Sequence, residues 1–209
     1  VVGYNQANVV ILHRSLADDF EKFCRANSGP LPLLYRSAPG EWKCPPLSTE
    51  SDIRTDCPLY RRYENGTFTG SLANLENYSE QLKDMVTFYL GCSFSFESTV
   101  QKLGVPVRNV EQGRNVSMYK TTIPCHQVGN FSCNLVVTMR PIPQEKLDLA
   151  AIATQPMKQY HGAPIHIGSS GQWLEIWVLV VLRALYFILL SGSIFAFSGQ
   201  GYHILFFFS

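Results

Sequence analysis

This chain has no excess of charge of either sign. Its 17 Lys+Arg and 16 Asp+Glu leave a net charge of +1, and no basic block or stripe stands out. The electrostatic footprint of a nucleic-acid binder is therefore excluded. Also absent are internal repeats, glycine-rich linkers, a P-loop, a GxGxxG turn and an HExxH pair. None of the six cysteines (Cys24, Cys44, Cys57, Cys92, Cys125, Cys133) has CxxC spacing, which removes the usual zinc and dithiol signatures. At this size and apolar content a domain does not need disulfide staples, so reduced thiols in a reducing compartment are the expectation. N-x-S/T triplets at Asn65, Asn77, Asn115 and Asn130 would matter only in a secreted protein. The chain begins with Val rather than Met and ends in Phe-Phe-Phe-Ser; a fragment of a longer protein is expected, so the missing signal peptide carries no weight.

Apolar sequence, by contrast, is plentiful. With 209 residues and 46% hydrophobic content, one domain with a sizeable core is expected. Asn8–Leu12 has the composition of a buried strand. Leu16, Phe20 and Phe23 give the next segment a helical period that Asn27-Ser-Gly-Pro30 stops. Residues 37–50 are rich in Pro, Ser and Gly and predict a loop. Asn65-Gly66 between Tyr60 and Phe68 predicts a type I′ hairpin. Leu82, Met85, Val86 and Tyr89 suggest a helix over Leu75–Leu90, and Ser93 or Ser95 would cap another helix running through Glu97 to Leu103. Residues 108–124 show no period. Leu135–Met139 predicts a strand, 144–153 a helix, and 161–168 a strand or loop edge. The expected fold class is α/β of mixed α+β type, a single domain of two subparts with an apolar C-terminal tail.

From Gln172 onward only Glu175 and Arg183 are charged. The run 174–190 approaches the roughly 20 apolar residues a membrane helix needs. Arg183 at its centre opposes insertion by about 2.5–3.5 kcal/mol. Expectations for 174–197 therefore divide between membrane association and an aberrant apolar end.

The segment Gly91-Cys92-Ser93-Phe94-Ser95-Phe96-Glu97 crowds a thiol, two hydroxyls and a carboxylate after an apolar run. Such groups meet at helix starts and active-site loops, where backbone N–H groups are exposed. A simple strand-to-helix turn with a capping serine also accounts for them.

Six segments occur in a familiar order: Gly3-Tyr-Asn-Gln-Ala-Asn8, Asp52-Ile-Arg-Thr-Asp56, Gly91–Glu97, Glu111-Gln-Gly-Arg-Asn115 with Met118-Tyr119, Met139-Arg-Pro-Ile-Pro143, and His161-Gly-Ala-Pro-Ile-His-Ile-Gly168. In these the chain resembles the D-glutamate cyclase family, whose bacterial members carry the label hydro-lyase. The resemblance spans roughly residues 1–169. It implies a partial cyclase domain at 1–171, with residues 172–209 as a tail having no family counterpart. It further implies a lyase that interconverts D-glutamate and 5-oxo-D-proline with loss or gain of water, a small dicarboxylate as partner, no cofactor, no metal, and a mitochondrial (matrix) location. A non-catalytic or membrane-tethered isoform that binds small carboxylates is the alternative.

Such a cyclisation needs a cation for the α-carboxylate, a base, an oxyanion site and an acid. Arg54, Arg114 and Arg140 are the candidate clamps, each otherwise a partner for a nearby acid such as Asp52, Asp56 or Glu111. Asn115 and Tyr119 are candidate substrate contacts. Ser93 and Ser95 are candidates for the oxyanion site and Cys92 for a nucleophile, although an intramolecular reaction requires no covalent intermediate. Glu97 and His161 are the acid/base candidates; a histidine tied to a backbone carbonyl is the plainer reading of His161. His166, five residues on, would face away from His161 in a strand, so the two are not expected to share a metal.

Overall fold

The computed structural model describes residues 5–114, 116–169, 177–183 and 193–197. In chain order the elements are β1 (Ala7–His13), α1 (Arg14–Ala26), β2 (Leu33–Arg36), β3 (Tyr60–Glu64), β4 (Thr67–Leu72), α2 (Ser79–Leu82), β5 (Met85–Gly91), α3 (Phe94–Lys102), α4 (Arg108–Glu111), β6 (Ser117–Pro124), β7 (Asn134–Pro141), α5 (Leu147–Thr154), β8 (His166–Ser169), β9 (Trp177–Arg183) and β10 (Ser193–Phe197). Helices and strands mix as expected. The strands form two antiparallel sheets, ordered β2-β5-β1-β10-β3-β4 and β6-β7-β9-β8.

Alternation along β1 builds two cores on the first sheet. Val10 and Leu12 join Phe20 and Phe23 of α1, with Val86, Phe88 and Leu90 of β5. Val9 and Ile11 face the other way, onto Cys44, Ile53, Cys57, Tyr60 and Leu75. The period of two thus serves both faces of one sheet. A third cluster joins α3 to α5 through Phe96, Val100, Ile142 and Leu147.

Several expectations hold. Asn65 (φ 48°) and Gly66 (φ 76°) both take the left-handed conformation a type I′ turn requires. Strand β1, helix α1, strand β7 and helix α5 lie where periodicity places them. The helix expected over Leu75–Leu90 is not formed. A short 3-10 turn and α2 end at Leu82, and Met85–Gly91 is β5, with every residue buried. Its Val, Thr, Phe and Tyr favour a pleated strand, and a strand covered on both faces shows no alternation. Residues 108–124, without a period in sequence, contain α4 and β6.

The β6–β7 hairpin ties the two sheets together. Phe131 at its tip packs against Phe20, with centroids 5.2 Å apart, and against Phe23 at 5.9 Å. Asn27, just past α1, donates to His126 O and accepts from His126 N. Of the expected tail, the structure describes only Trp177–Arg183, which pairs with β7 and β8, and Ser193–Phe197, which pairs with β1 and β3; the rest of 172–209 lies outside the described residues. Among the described residues no helix is long and apolar enough to cross a membrane.

Candidate active site

Strand β5 ends at Gly91 for a steric reason. A Cβ there would lie 1.7 Å from Gln159 O and 3.2 Å from the Tyr160 ring. Only glycine lets the turn at Lys158–Tyr160 rest against the end of the strand. Cys92 N then donates to Gln6 O, and α3 begins at Phe94.

Neither serine caps α3. Ser93 occupies the cap position but has a helical backbone and makes no side-chain cap bond. Its hydroxyl lies 3.5 Å from Arg140 Nη2. The Ser95 hydroxyl accepts from Gln6 N at 2.7 Å and donates to Gln6 O. Gln6, just before β1 and distant in the chain, thus replaces the local amide as the hydrogen-bond target. The strand-to-helix turn stands without its capping serine.

Glu97, in the first turn of α3, and Arg140, on β7, form an ion pair at 2.7 Å, with side chains 10% and 4% exposed. Arg140 Nη1 also donates to Thr138 Oγ1 at 2.9 Å, and the guanidinium lies over the Phe96 ring at 5.0 Å. Withdrawing two charges from water costs several kcal/mol per ion, and the mutual attraction often only matches that. A pair held at this depth is a weak source of stability and marks a candidate site. The carboxylate lies where the helix macrodipole favours it.

His161 is buried and follows the same turn that leans on Gly91 and α3. It has φ 80°, a left-handed conformation rare outside glycine, and Gly162 continues it at φ 73°. The His161 ring nitrogen Nδ1 lies 3.0 Å from Gly29 O. A carbonyl oxygen only accepts, so Nδ1 carries the hydrogen, and in the neutral ring Nε2 is the basic atom. The tie to a backbone carbonyl expected as the plainer reading is present, and it also sets the tautomer.

Ser93, Glu97 and Arg140 are therefore brought together, with Cys92 next to Ser93 in the chain, while His161 follows the turn that rests on Gly91. The other candidates lie elsewhere. Arg54 bonds Asp52 through Nε and Nη2 and stacks on Trp42 at 3.8 Å, on the sheet face opposite α1. This is the salt bridge foreseen as its alternative role. A cleft of about 690 Å³ opens between α4, the 112–114 turn and the ends of β6 and β7, lined by Arg108, Arg114, Gln112, Ser117, Met139 and Gln144 among others. Ser117 pairs with Met139 and Tyr119 with Val137, so Tyr119 shares the cleft's face of the hairpin. Arg140, next to Met139, points to the opposite face. Asn115 lies outside the described residues. His166 is exposed on β8, away from His161's turn. Among the described residues no three His, Cys, Asp or Glu groups gather as metal ligands.

Sequence reading missed Thr138 and Gln6. Thr138 stands two residues before Arg140 in a strand, a spacing that places both on one face; Gln6 gave no such signal.

A mixed α+β domain with a buried carboxylate–guanidinium centre is what fold and site define. A family model described as D-glutamate cyclase matches residues 86–179, from β5 into β9. Human "D-glutamate cyclase, mitochondrial" is 49% identical over 162 residues, covering 78% of this chain and 26% of that protein. A "Putative hydro-lyase" of Natranaerobius thermophilus is 46% identical, covering 80% and 63% respectively. One of the same name from Syntrophobacter fumaroxidans is 46% identical, covering 81% and 64%. The family model and these relatives together support the D-glutamate cyclase family for this chain. It spans about a quarter of the human relative's length and a little under two thirds of these bacterial relatives.

Proposed function

We propose that the chain carries the reaction centre of a carbon–oxygen hydro-lyase that interconverts D-glutamate and 5-oxo-D-proline. The observation that carries this reading is the buried Glu97–Arg140 pair, with the turn that precedes His161 resting on Gly91 at the end of β5. In the cyclising direction the substrate amine attacks its own γ-carboxyl carbon. A carbon–nitrogen bond forms, a carbon–oxygen bond breaks, and two protons pass from nitrogen to the departing oxygen, which leaves as water. The α-carboxylate takes the place of Glu97 on Arg140, whose planar guanidinium suits it. Glu97, released from Arg140, serves as the acid for the leaving oxygen. His161 Nε2 takes a proton from the amine and returns it. The Ser93 hydroxyl faces the developing oxyanion, while Ser95 holds Gln6 and Cys92 forms no covalent bond. Domain limits of 1–171, and a mitochondrial location like that in the human relative's name, belong to the same reading.

A second reading is favoured by the cleft. It presents Arg108 and Arg114 on the face of β7 opposite the acid/base groups, as a module that binds small carboxylates without turnover would. The test is incubation of the full chain with D-glutamate and with 5-oxo-D-proline, followed by chiral chromatography. Product from the parent chain, and its loss by about 100-fold or more in E97Q and H161N with unchanged circular dichroism, is expected for acid/base groups. A folded full chain that forms no product but is stabilised by either compound would overturn the catalytic reading in favour of the binding one.

A further inference from the structure

We propose that Cys125 and Cys133 form a redox-modified dithiol at the tip of the β6–β7 hairpin, taking a low-molecular-weight disulfide as its oxidant. This inference does not rest on the catalytic reading.

The ladder of β6 and β7 pairs Pro124 with Asn134. One step further Cys125 stands opposite Cys133, and Cys125 N donates to Cys133 O at 2.8 Å. Directly opposed residues sharing such a bond sit about 5.5 Å apart at Cα. That falls within the roughly 4.4–6.8 Å a disulfide spans. Both thiols are partly exposed, whereas Cys24, Cys44, Cys57 and Cys92 are buried. Burial pushes the Cys44 thiol up to about 11 and Cys57 up to about 12. The Cys133 side chain, hydrogen-bonded to Cys125, holds the Cys125 thiol below its ordinary value instead. A thiolate is the attacking species, so reactivity concentrates on this pair.

The surroundings give the pair a consequence. Between Lys120 and Pro124 the ladder register shifts. There side-chain bonds stand in for ladder bonds: Thr121 Oγ1 donates to Leu135 O, and Asn134 Nδ2 donates to Thr121 O. The tip beyond this irregular stretch inserts Phe131 into the first core and holds α1 through His126 and Asn27. A covalent link at 125–133 clamps the hairpin past its weakest point.

The exchange balances. Cys125 thiolate attacks one sulfur of glutathione disulfide and expels a glutathione thiolate, leaving a mixed disulfide. Cys133 thiolate then attacks the Cys125 sulfur and expels the second glutathione. The protein loses two electrons and two protons, and the reagent gains them as two thiols.

The test incubates the full chain in glutathione buffers of rising oxidised fraction. Exposed thiols are then trapped with iodoacetamide, and intact mass, peptide mapping and thermal melting are recorded. We expect the loss of two hydrogens, a linked Cys125–Cys133 peptide, and alkylation of the other four cysteines only after denaturation. The oxidised chain should melt about 5 °C higher, as a short clamped loop predicts. C125S and C133S should each stop at a stable mixed disulfide, and the melting shift should vanish in both. A linkage mapping to another pair, a persistent mixed disulfide in the parent chain, or no oxidation in buffers that oxidise dithiothreitol would overturn the proposal. An unchanged melting temperature after linkage would overturn the clamp.

Discussion

Glu97–Arg140 and Asp52–Arg54 are the same two functional groups in two settings. In the first, a helix and a strand from distant parts of the chain close on each other, and the side chains are 10% and 4% exposed. In the second, the partners are two residues apart in one turn and are 30% and 24% exposed. Water screens the second pair and keeps it cheap to form and to break. The first is expensive to assemble, and each charge depends on its partner. A family resemblance points equally to both arginines; burial separates a candidate centre from a surface brace.

The sharpest way to break the comparison is to remove one charge from each pair. R140A leaves Glu97 buried without its cation, and urea unfolding should show a loss of about 3–5 kcal/mol. R54A exposes Asp52 to water that already reaches it, and its denaturation midpoint should move several-fold less. Equal shifts would mean that burial does not distinguish the two pairs.

The next effect is steric. G91A sets a methyl group against Gln159 O. The turn that carries His161 must retreat, with about 1–3 kcal/mol of destabilisation expected for overpacking. At Gly70 a Cβ meets nothing within 4 Å, but φ is 149°, so G70A tests backbone strain without a packing clash. Thermal melting that leaves G91A as stable as the parent chain would refute the Gln159 contact as the reason for glycine.

The smallest effect is on pH dependence. The Arg54 guanidinium beside Asp52 holds that carboxyl below its ordinary value. Arg36 of β2 and then Arg25 of α1 do the same for Glu21 on α1. A carboxyl lowered on folding adds stability above its ordinary value, and loses it as pH falls through the folded value. Stability should therefore decline on acidification below the ordinary carboxylate range, and E21Q should flatten that slope. An unchanged slope in E21Q would remove this pair from the acid response.

Where local chemistry decides a conformation, the sequence is legible. Asn65-Gly66 announces its turn because few other residues tolerate two positive φ values in succession. Leu16, Phe20 and Phe23 announce α1 because one face is wet and the other dry. Met85–Gly91 misleads because a strand buried on both faces has no alternation, and Leu82, Met85, Val86 and Tyr89 then fit a helical period by coincidence. The candidate site divides in the same way. Glu97 and His161 stand out by residue type within short motifs. The pairing of Arg140 with Glu97 does not, since 43 residues separate them.

By itself, then, the sequence determined the resemblance to the D-glutamate cyclase family, the mixed α+β class, the hairpin at Asn65-Gly66 and the short list of candidate residues. These depend on residue type and near-neighbour spacing. Only the tertiary structure decided which arginine meets Glu97, that Ser95 serves Gln6 rather than its own helix, which nitrogen of His161 carries the hydrogen, and that Cys125 faces Cys133. The first three are contacts between segments far apart in the chain, set by how buried faces close on one another, and the last follows from the register of one hairpin, which no local pattern announces.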